Sequence, residues 1–186
     1  MFMLRLDADT ELRLLEERHA LELHALTDQN REHLRRWLPW VDATSSVEVT
    51  RRFIQKGLKQ FAAHRGFQAG IWHKGTLAGV IGYHKIDWHN RKTSLGYWLA
   101  ASFEGKGIIT KASRALIEYA FHELKLNRIE IRCAIENKRS RGIPERLGFI
   151  QEGTSRQAEW LYDHYVDHVI YGMLASEWQG AREATS

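Results

Sequence analysis

One stretch near the middle of the chain constrains the fold more than any other. The apolar segment 95–100 gives way to Ser102-Phe103-Glu104-Gly105-Lys106-Gly107, and from Thr110 onward Ala112, Ala115, Leu116, Tyr119, Ala120 and Leu124 return at spacings of three and four. An extended apolar run, a pair of glycines and then a helical period predict strand, loop and helix. The helix start leaves its first amides unpaired, with the positive end of the helix dipole behind them, which suits the loop to phosphate oxygens. Gly105 and Gly107 either let the backbone approach such a group or merely permit a tight turn. Two familiar nucleotide motifs are excluded. A dinucleotide fingerprint needs a third glycine where Thr110 stands and an acid at the end of the next strand, whereas Glu130 falls inside it. Nothing in the chain spells a P-loop.

Ahead of this unit, FQAGIWHK, TLAGVIGYHKID and KTSLGYWLA read as three successive strands, the first two joined as a hairpin at Lys74-Gly75. A first strand falls around Leu12 and Leu14. Ala20, Leu21, Leu23, Leu26, Leu34, Trp37 and Leu38 then recur at helical spacing until Pro39 interrupts. A second helix opens at Ser45 or Ser46, with Glu48 completing a capping box from Ser45, and runs through Phe53, Ile54, Leu58 and Phe61. Beyond the glycine loop, RIEIRCAI is a strand, a short helix is expected around Arg141 to Leu147 ending at Gly148, and FIQEGTSR and DHVIYGMLA are the final strands. Gly96, inside a strand, marks either a close backbone approach or an ordinary packing glycine.

No repeat or Pro/Gly/Ser linker divides the 186 residues, so a single domain spanning 1–186 is expected, with 179–186 as a frayed tail. Its class is α+β. The lone Cys133 cannot form an internal disulfide, no apolar run approaches the roughly 20 residues of a membrane span, and acids follow the short apolar start. A cytoplasmic protein is expected.

Glu104-Gly105-Lys106-Gly107-Ile108-Ile109-Thr110, the tract Ile131-Arg132-Cys133, Asn137-x-x-Ser140 and Arg146-x-Gly148-Phe149 together resemble the GCN5-related N-acetyltransferases (GNAT), in the RimJ/RimL branch. The acyl-CoA motif of that family is [QR]-x-x-G-x-[GA]; Ser102 departs from its first position, while Gly105 and Gly107 match. The resemblance extends from the Leu12 strand to Met173 and includes Trp37, Trp40 and the tract Gln157-Ala158-Glu159. It implies a mixed central sheet of about seven strands, splayed between the fourth and fifth, with about four flanking helices. It implies acetyl-CoA as acetyl donor, no metal, and a homodimer. The amides of Gly105, Lys106, Gly107, Ile108, Ile109 and Thr110 would hold the pyrophosphate. The edge at Trp98, Leu99 and Ala100 would pair with the pantetheine arm, and Asn137 would contact it.

Two catalytic roles follow from the same resemblance. Ser140 would protonate the leaving thiolate, although a serine there also suits a helix N-cap. Glu159, read as lying in a polar loop, would act as base through water, or is a solvated acid. An α-amine of pKa about 7.7–8.0 costs only roughly 1 kcal/mol to deprotonate at pH 7, so a carboxylate suffices for an N-terminal acceptor. Cys133, with no neighbouring histidine, is read as inert. His164 and His168 lie too far apart along a strand to share an ion.

Residues 30–65 carry eight basic against three acidic side chains within a chain of net charge +4. They form solvated helix faces or a patch that attracts an acidic partner. Trp37 and Trp40 in this segment are core or cleft-rim residues, or a peptide-binding wall. Three functions stay open: acetylation of a ribosomal-protein N-terminus, with the serine of the acidic stalk protein first; acetylation of a small amine such as an aminoacyl nucleotide or antibiotic; or a non-catalytic CoA- or RNA-binding module. No membrane and no specific nucleic acid are expected as partners.

Overall fold

The computed structural model describes residues 3–178. The predicted tail at 179–186 lies outside the described residues. Eight strands form one sheet: β1 (Met3–Arg5), β2 (Thr10–Leu14), β3 (Phe67–His73), β4 (Thr76–Asp87), β5 (Lys92–Leu99), β6 (Arg128–Ala134), β7 (Ile150–Leu161) and β8 (His164–Leu174). Their order across the sheet is β1-β2-β3-β4-β5-β6-β8-β7. The helices are α1 (Ala20–Gln29), α2 (Arg31–Arg35), α3 (Val47–Ala62), α4 (Ile108–Glu118) and α5 (Lys138–Arg146), and a π turn over Tyr119–Glu123 extends α4. Among the described residues no helix is long and apolar enough to cross a membrane.

Strand alternation sorts the core onto two faces. On β3 and β4, Ile71 and Ile81 join the cluster containing Ile109, Leu116 and Ile117 of α4, while Trp72 and Val80 turn to the other face and pack with Leu23 of α1 and Ile54 of α3. Helices therefore cover both sides of the central strands. The sheet is antiparallel except at β5 and β6, which pair in parallel only at Lys92–Arg128, Thr93–Ile129 and Ser94–Glu130. Beyond Ser94 the two strands part, as the expected splay between the fourth and fifth of seven strands requires.

Several boundaries differ from the sequence reading. The sheet has eight strands because β1, only three residues long, pairs with β2; it is too short to show a period. The first helix is broken at Asn30, whose amide bonds Thr27 O and closes α1. Ser46 caps α3 by accepting the Val49 amide at 3.3 Å, so Glu48 sits in the first turn and the Ser45–Glu48 capping box does not form. α4 starts two residues before Thr110, because Gly107 takes φ 69° and acts as its N-cap. α5 opens at Lys138 with Asn137 as cap, ahead of the expected Arg141. β7 runs to Leu161, past the expected end at Arg156. Gly96 is a packing glycine: a Cβ there would meet His84 Nε2 at 2.2 Å.

Candidate active site

The divergence of β5 and β6 opens a cleft of about 740 Å³. One wall is the end of β5, with Tyr97, Trp98 and Leu99, continued by the loop into α4; the facing wall runs from Glu136 to Ser140 and along α5 to Ile143 and Arg146; α2 and its following loop roof the space with His33, Leu34, Arg36, Trp37 and Leu38. Trp40 packs on Trp98 with ring centroids 6.0 Å apart, fixing the roof over β5.

At one end of the cleft, Gly105 and Gly107 hold left-handed φ values of 76° and 69°, a conformation that costs an ordinary L-residue roughly 1–2 kcal/mol. The Lys111 amide makes the first intrahelical bond of α4, to Gly107 O at 3.0 Å, so the amides of Ile108, Ile109 and Thr110 point out of the helix end. Arg146 reaches across from α5 and donates to Thr110 Oγ1 at 3.3 Å. Arg36, Lys138, Arg139 and Arg146 line the cleft, with Glu104 and Glu136 as its acids.

The other end holds a cluster of small polar groups. Asn137 Oδ1 accepts the Ser140 amide at 3.1 Å, so Asn137 caps α5 and Ser140, in its first turn, is not the cap. Ser140 Oγ lies 3.2 Å from Cys133 Sγ, and the Tyr97 hydroxyl donates to Ser140 O at 3.1 Å. Burial pushes the Tyr97 hydroxyl well above its ordinary pKa and raises the Cys133 thiol as well, so both stay protonated near neutrality. A protonated, buried thiol is a poor nucleophile.

Of the residues singled out by sequence, Trp98, Leu99, Gly105, Gly107, Ile108, Ile109, Thr110, Asn137 and Ser140 line this cleft. Ala100 and Lys106 do not. The Ala100 amide is committed to Ala78 O at 2.8 Å on β4, and strand alternation then directs the polar groups of Leu99 toward the open side. Lys106 is exposed, with Nζ on Ser102 O at 3.1 Å. Glu159 belongs to β7 opposite Val166, beside a bulge between Ser155 and Glu159, and not to a loop. Its Oε2 lies 3.4 Å from His168 Nε2, and it is not among the cleft-lining residues. Arg51 and Arg52 on α3 also stand away from the cleft, and Arg51 bonds Glu48 at 3.3 Å. Sequence reasoning misses Tyr97, Glu104, Arg139 and Arg146 as cleft residues; the run Lys138-Arg139-x-Arg141 is a readable cationic signal. Among the described residues, no group of three or more His, Cys, Asp or Glu is placed to hold a metal ion.

A mixed sheet parted between β5 and β6 and flanked by helices is the fold of an N-acetyltransferase, and the chain belongs to the GNAT family: the acetyltransferase (GNAT) domain model matches residues 9–150. It is 42% identical over 183 residues to YdaF of Bacillus subtilis (strain 168), whose name provisionally makes it a ribosomal N-acetyltransferase, with 98% of this chain and 100% of that one covered. Among solved structures, the RimL ribosomal L7/L12 alpha-N-protein acetyltransferase, bound to coenzyme A through a cysteine disulfide, matches with a TM-score of 0.90 at 29% identity, covering 93% of this chain and 98% of that one. The microcin C7 self-immunity acetyltransferase MccE, in complex with acetyl-CoA and AMP, matches with a TM-score of 0.87 at 29% identity, over 91% and 94% of the two chains.

Proposed function

We propose that this protein moves an acetyl group from acetyl-CoA to the N-terminal α-amine of a ribosomal protein, with the serine terminus of the acidic stalk protein as first acceptor. The observation that carries the reading is the cleft itself: outward amides of Ile108, Ile109 and Thr110 at one end and Ser140 beside Cys133 and Tyr97 at the other. Pyrophosphate on the amides directs the pantetheine arm along Leu99, whose polar groups face the split, toward the Ser140 end. The disulfide between coenzyme and a protein cysteine in RimL supports a thiol end lying near Cys133.

In the proposed reaction the amine nitrogen attacks the thioester carbonyl, forming the C–N bond. A backbone amide holds the oxyanion, the C–S bond breaks, and the thiolate takes a proton. Ser140 Oγ is the proposed donor, steadied by the Tyr97 hydrogen bond to its carbonyl. Glu159, paired with His168, is the proposed acceptor-side base, reaching the amine through water. Glu159→Gln should then lower kcat with acetyl-CoA affinity kept. Turnover equal to wild type between pH 6 and 9, roughly the range around an α-amine pKa, would make Glu159 a surface acid.

The cationic lining gives a second reading specific support. Arg36, Lys138 and Arg139 would draw a phosphate-bearing amine as readily as an acidic protein terminus, and MccE was solved with AMP. Thiol release measured with the stalk protein, an aminoacyl nucleotide and spermidine decides among them. Fastest turnover of spermidine overturns both. The working unit is proposed as one domain forming a cytoplasmic homodimer, for which sedimentation of the purified chain is the test of assembly.

A further inference from the structure

Glu104 is an anomaly: a carboxylate inside a loop whose neighbouring amides favour anions. Its side chain, 27% exposed, is held from two directions. Oε2 accepts a bond from Arg139 Nη1 on α5, and Oε1 lies 3.3 Å from His33 Nε2 on α2. The pair Glu104–Arg139 thus spans the cleft from the glycine loop to the facing wall. Arg139 is otherwise open to solvent, its side chain 80% exposed, so its guanidinium is free to turn within the cleft. A guanidinium accepts a carboxylate and a phosphate with the same forked geometry and binds both through charge-assisted hydrogen bonds.

We infer that Glu104 and a phosphate of the coenzyme compete for Arg139: the carboxylate is a built-in surrogate, and Arg139 transfers to the phosphate when acetyl-CoA binds. The inference rests on the acetyl-CoA reading and adds a residue pair that sets coenzyme affinity. Two consequences follow. Removing the Glu104 charge frees Arg139 and lifts repulsion of the incoming anion, so affinity rises. Arg139 then matters more in the absence of its internal partner than in its presence. A purely structural tie between loop and α5 gives the opposite sign for Glu104, because loosening the loop weakens binding whichever partner is removed.

Calorimetry on the full chain separates these. CoA, 3′-dephospho-CoA and acetyl-pantetheine are titrated into wild type, Glu104→Gln, Arg139→Gln and the double variant. Glu104→Gln should tighten CoA by about tenfold, the worth of one charge-assisted bond after its own replacement. Arg139→Gln should weaken CoA by about twofold in the wild-type background and about tenfold in the Glu104→Gln background, where no carboxylate contests its charge-assisted bond to the phosphate. Acetyl-pantetheine, which lacks every phosphate, should not respond to either change. If dephospho-CoA loses the response, Arg139 serves the 3′-phosphate; if it keeps the response, Arg139 serves the pyrophosphate. Weaker CoA binding by Glu104→Gln, equal effects of Arg139→Gln in both backgrounds, or a matching response of acetyl-pantetheine overturns the competition. Failure of the wild-type protein to bind CoA at all would instead remove the coenzyme reading, and this inference with it.

Discussion

Valine at Gly107 should separate what a left-handed residue costs the fold from what it does for the coenzyme. Gly107 sits at φ 69°, and a Cβ there would have no heavy atom within 4 Å, so the substitution meets no clash and its cost is conformational. That cost is roughly 1–2 kcal/mol, and more for a β-branched side chain. Gly75 in the β3–β4 turn supplies the matched control: φ 77°, again with no neighbour within 4 Å, and no place on the cleft lining. Both Gly75→Val and Gly107→Val should therefore lower the melting temperature by a similar amount, roughly 2–8 °C for a chain of this length. Only Gly107→Val should re-aim the amides of Ile108, Ile109 and Thr110. Each hydrogen bond to a charged phosphate is worth about 1.5–3 kcal/mol, so losing one weakens acetyl-CoA binding by about 10- to 150-fold. Calorimetry reads the affinity and differential scanning fluorimetry the stability. Coenzyme at 100 times its dissociation constant should also stabilise wild type by about 2.7 kcal/mol, and Gly107→Val by much less at the same concentration. Equal acetyl-CoA affinity for Gly107→Val and wild type would refute the phosphate-cradle argument, because the strained residue would then shape only a turn.

Other expectations are more local. Arg36→Ser should slow capture of an acidic acceptor and flatten the salt dependence of kcat/KM, while Arg51→Ser with Arg52→Ser leaves both unchanged, since only Arg36 of the three lines the cleft. Tyr162→Phe deletes the hydroxyl bond to Leu38 O, 2.6 Å long, and should raise the acceptor KM with little change in acetyl-CoA affinity, read by steady-state kinetics and calorimetry. The Lys111 ammonium on Asp7, 2.6 Å away, holds that carboxyl well below the usual range. A depressed folded-state pKa gives stability that is present above the unfolded value, about 3.9, and lost as pH falls through the folded one. Asp7→Asn should thus lower the melting temperature modestly at pH 7, and the deficit should shrink in acid.

The cleft is legible in sequence where chemistry forces a local pattern. Gly105, Gly107 and the apolar stripe of α4 announce themselves, because a helix start that presents its amides needs residues without side chains before it and a buried face behind it. The meander 67–99 is equally plain, since both faces of β3 and β4 are buried and a left-handed Lys74-Gly75 pair closes the hairpin. β7 is not. It is an edge strand, exposed along most of its length and bulged at Gln157, whose φ is 48°, so no alternation reports where it ends. From sequence, Glu159 accordingly falls in a loop. The guanidiniums of Arg139 and Arg146 escape for another reason: an exposed basic residue on a short helix looks the same whether it faces bulk solvent or a cleft, and only the parting of β5 from β6 decides.

The bond from Tyr162 to Leu38 joins residues 124 positions apart in the chain, and Arg35 stacks 3.8 Å over the Tyr162 ring beside it. Closing so long a loop is entropically costly until the intervening strands have formed. Leu38 roofs the cleft, so the roof gains this tether only when the last hairpin is in place. During synthesis the glycine loop and α4 emerge well before Tyr162, yet the roof stays unlatched until β7 and β8 follow. The order of manufacture thereby delays a fully formed cleft until β7 and β8 have both emerged.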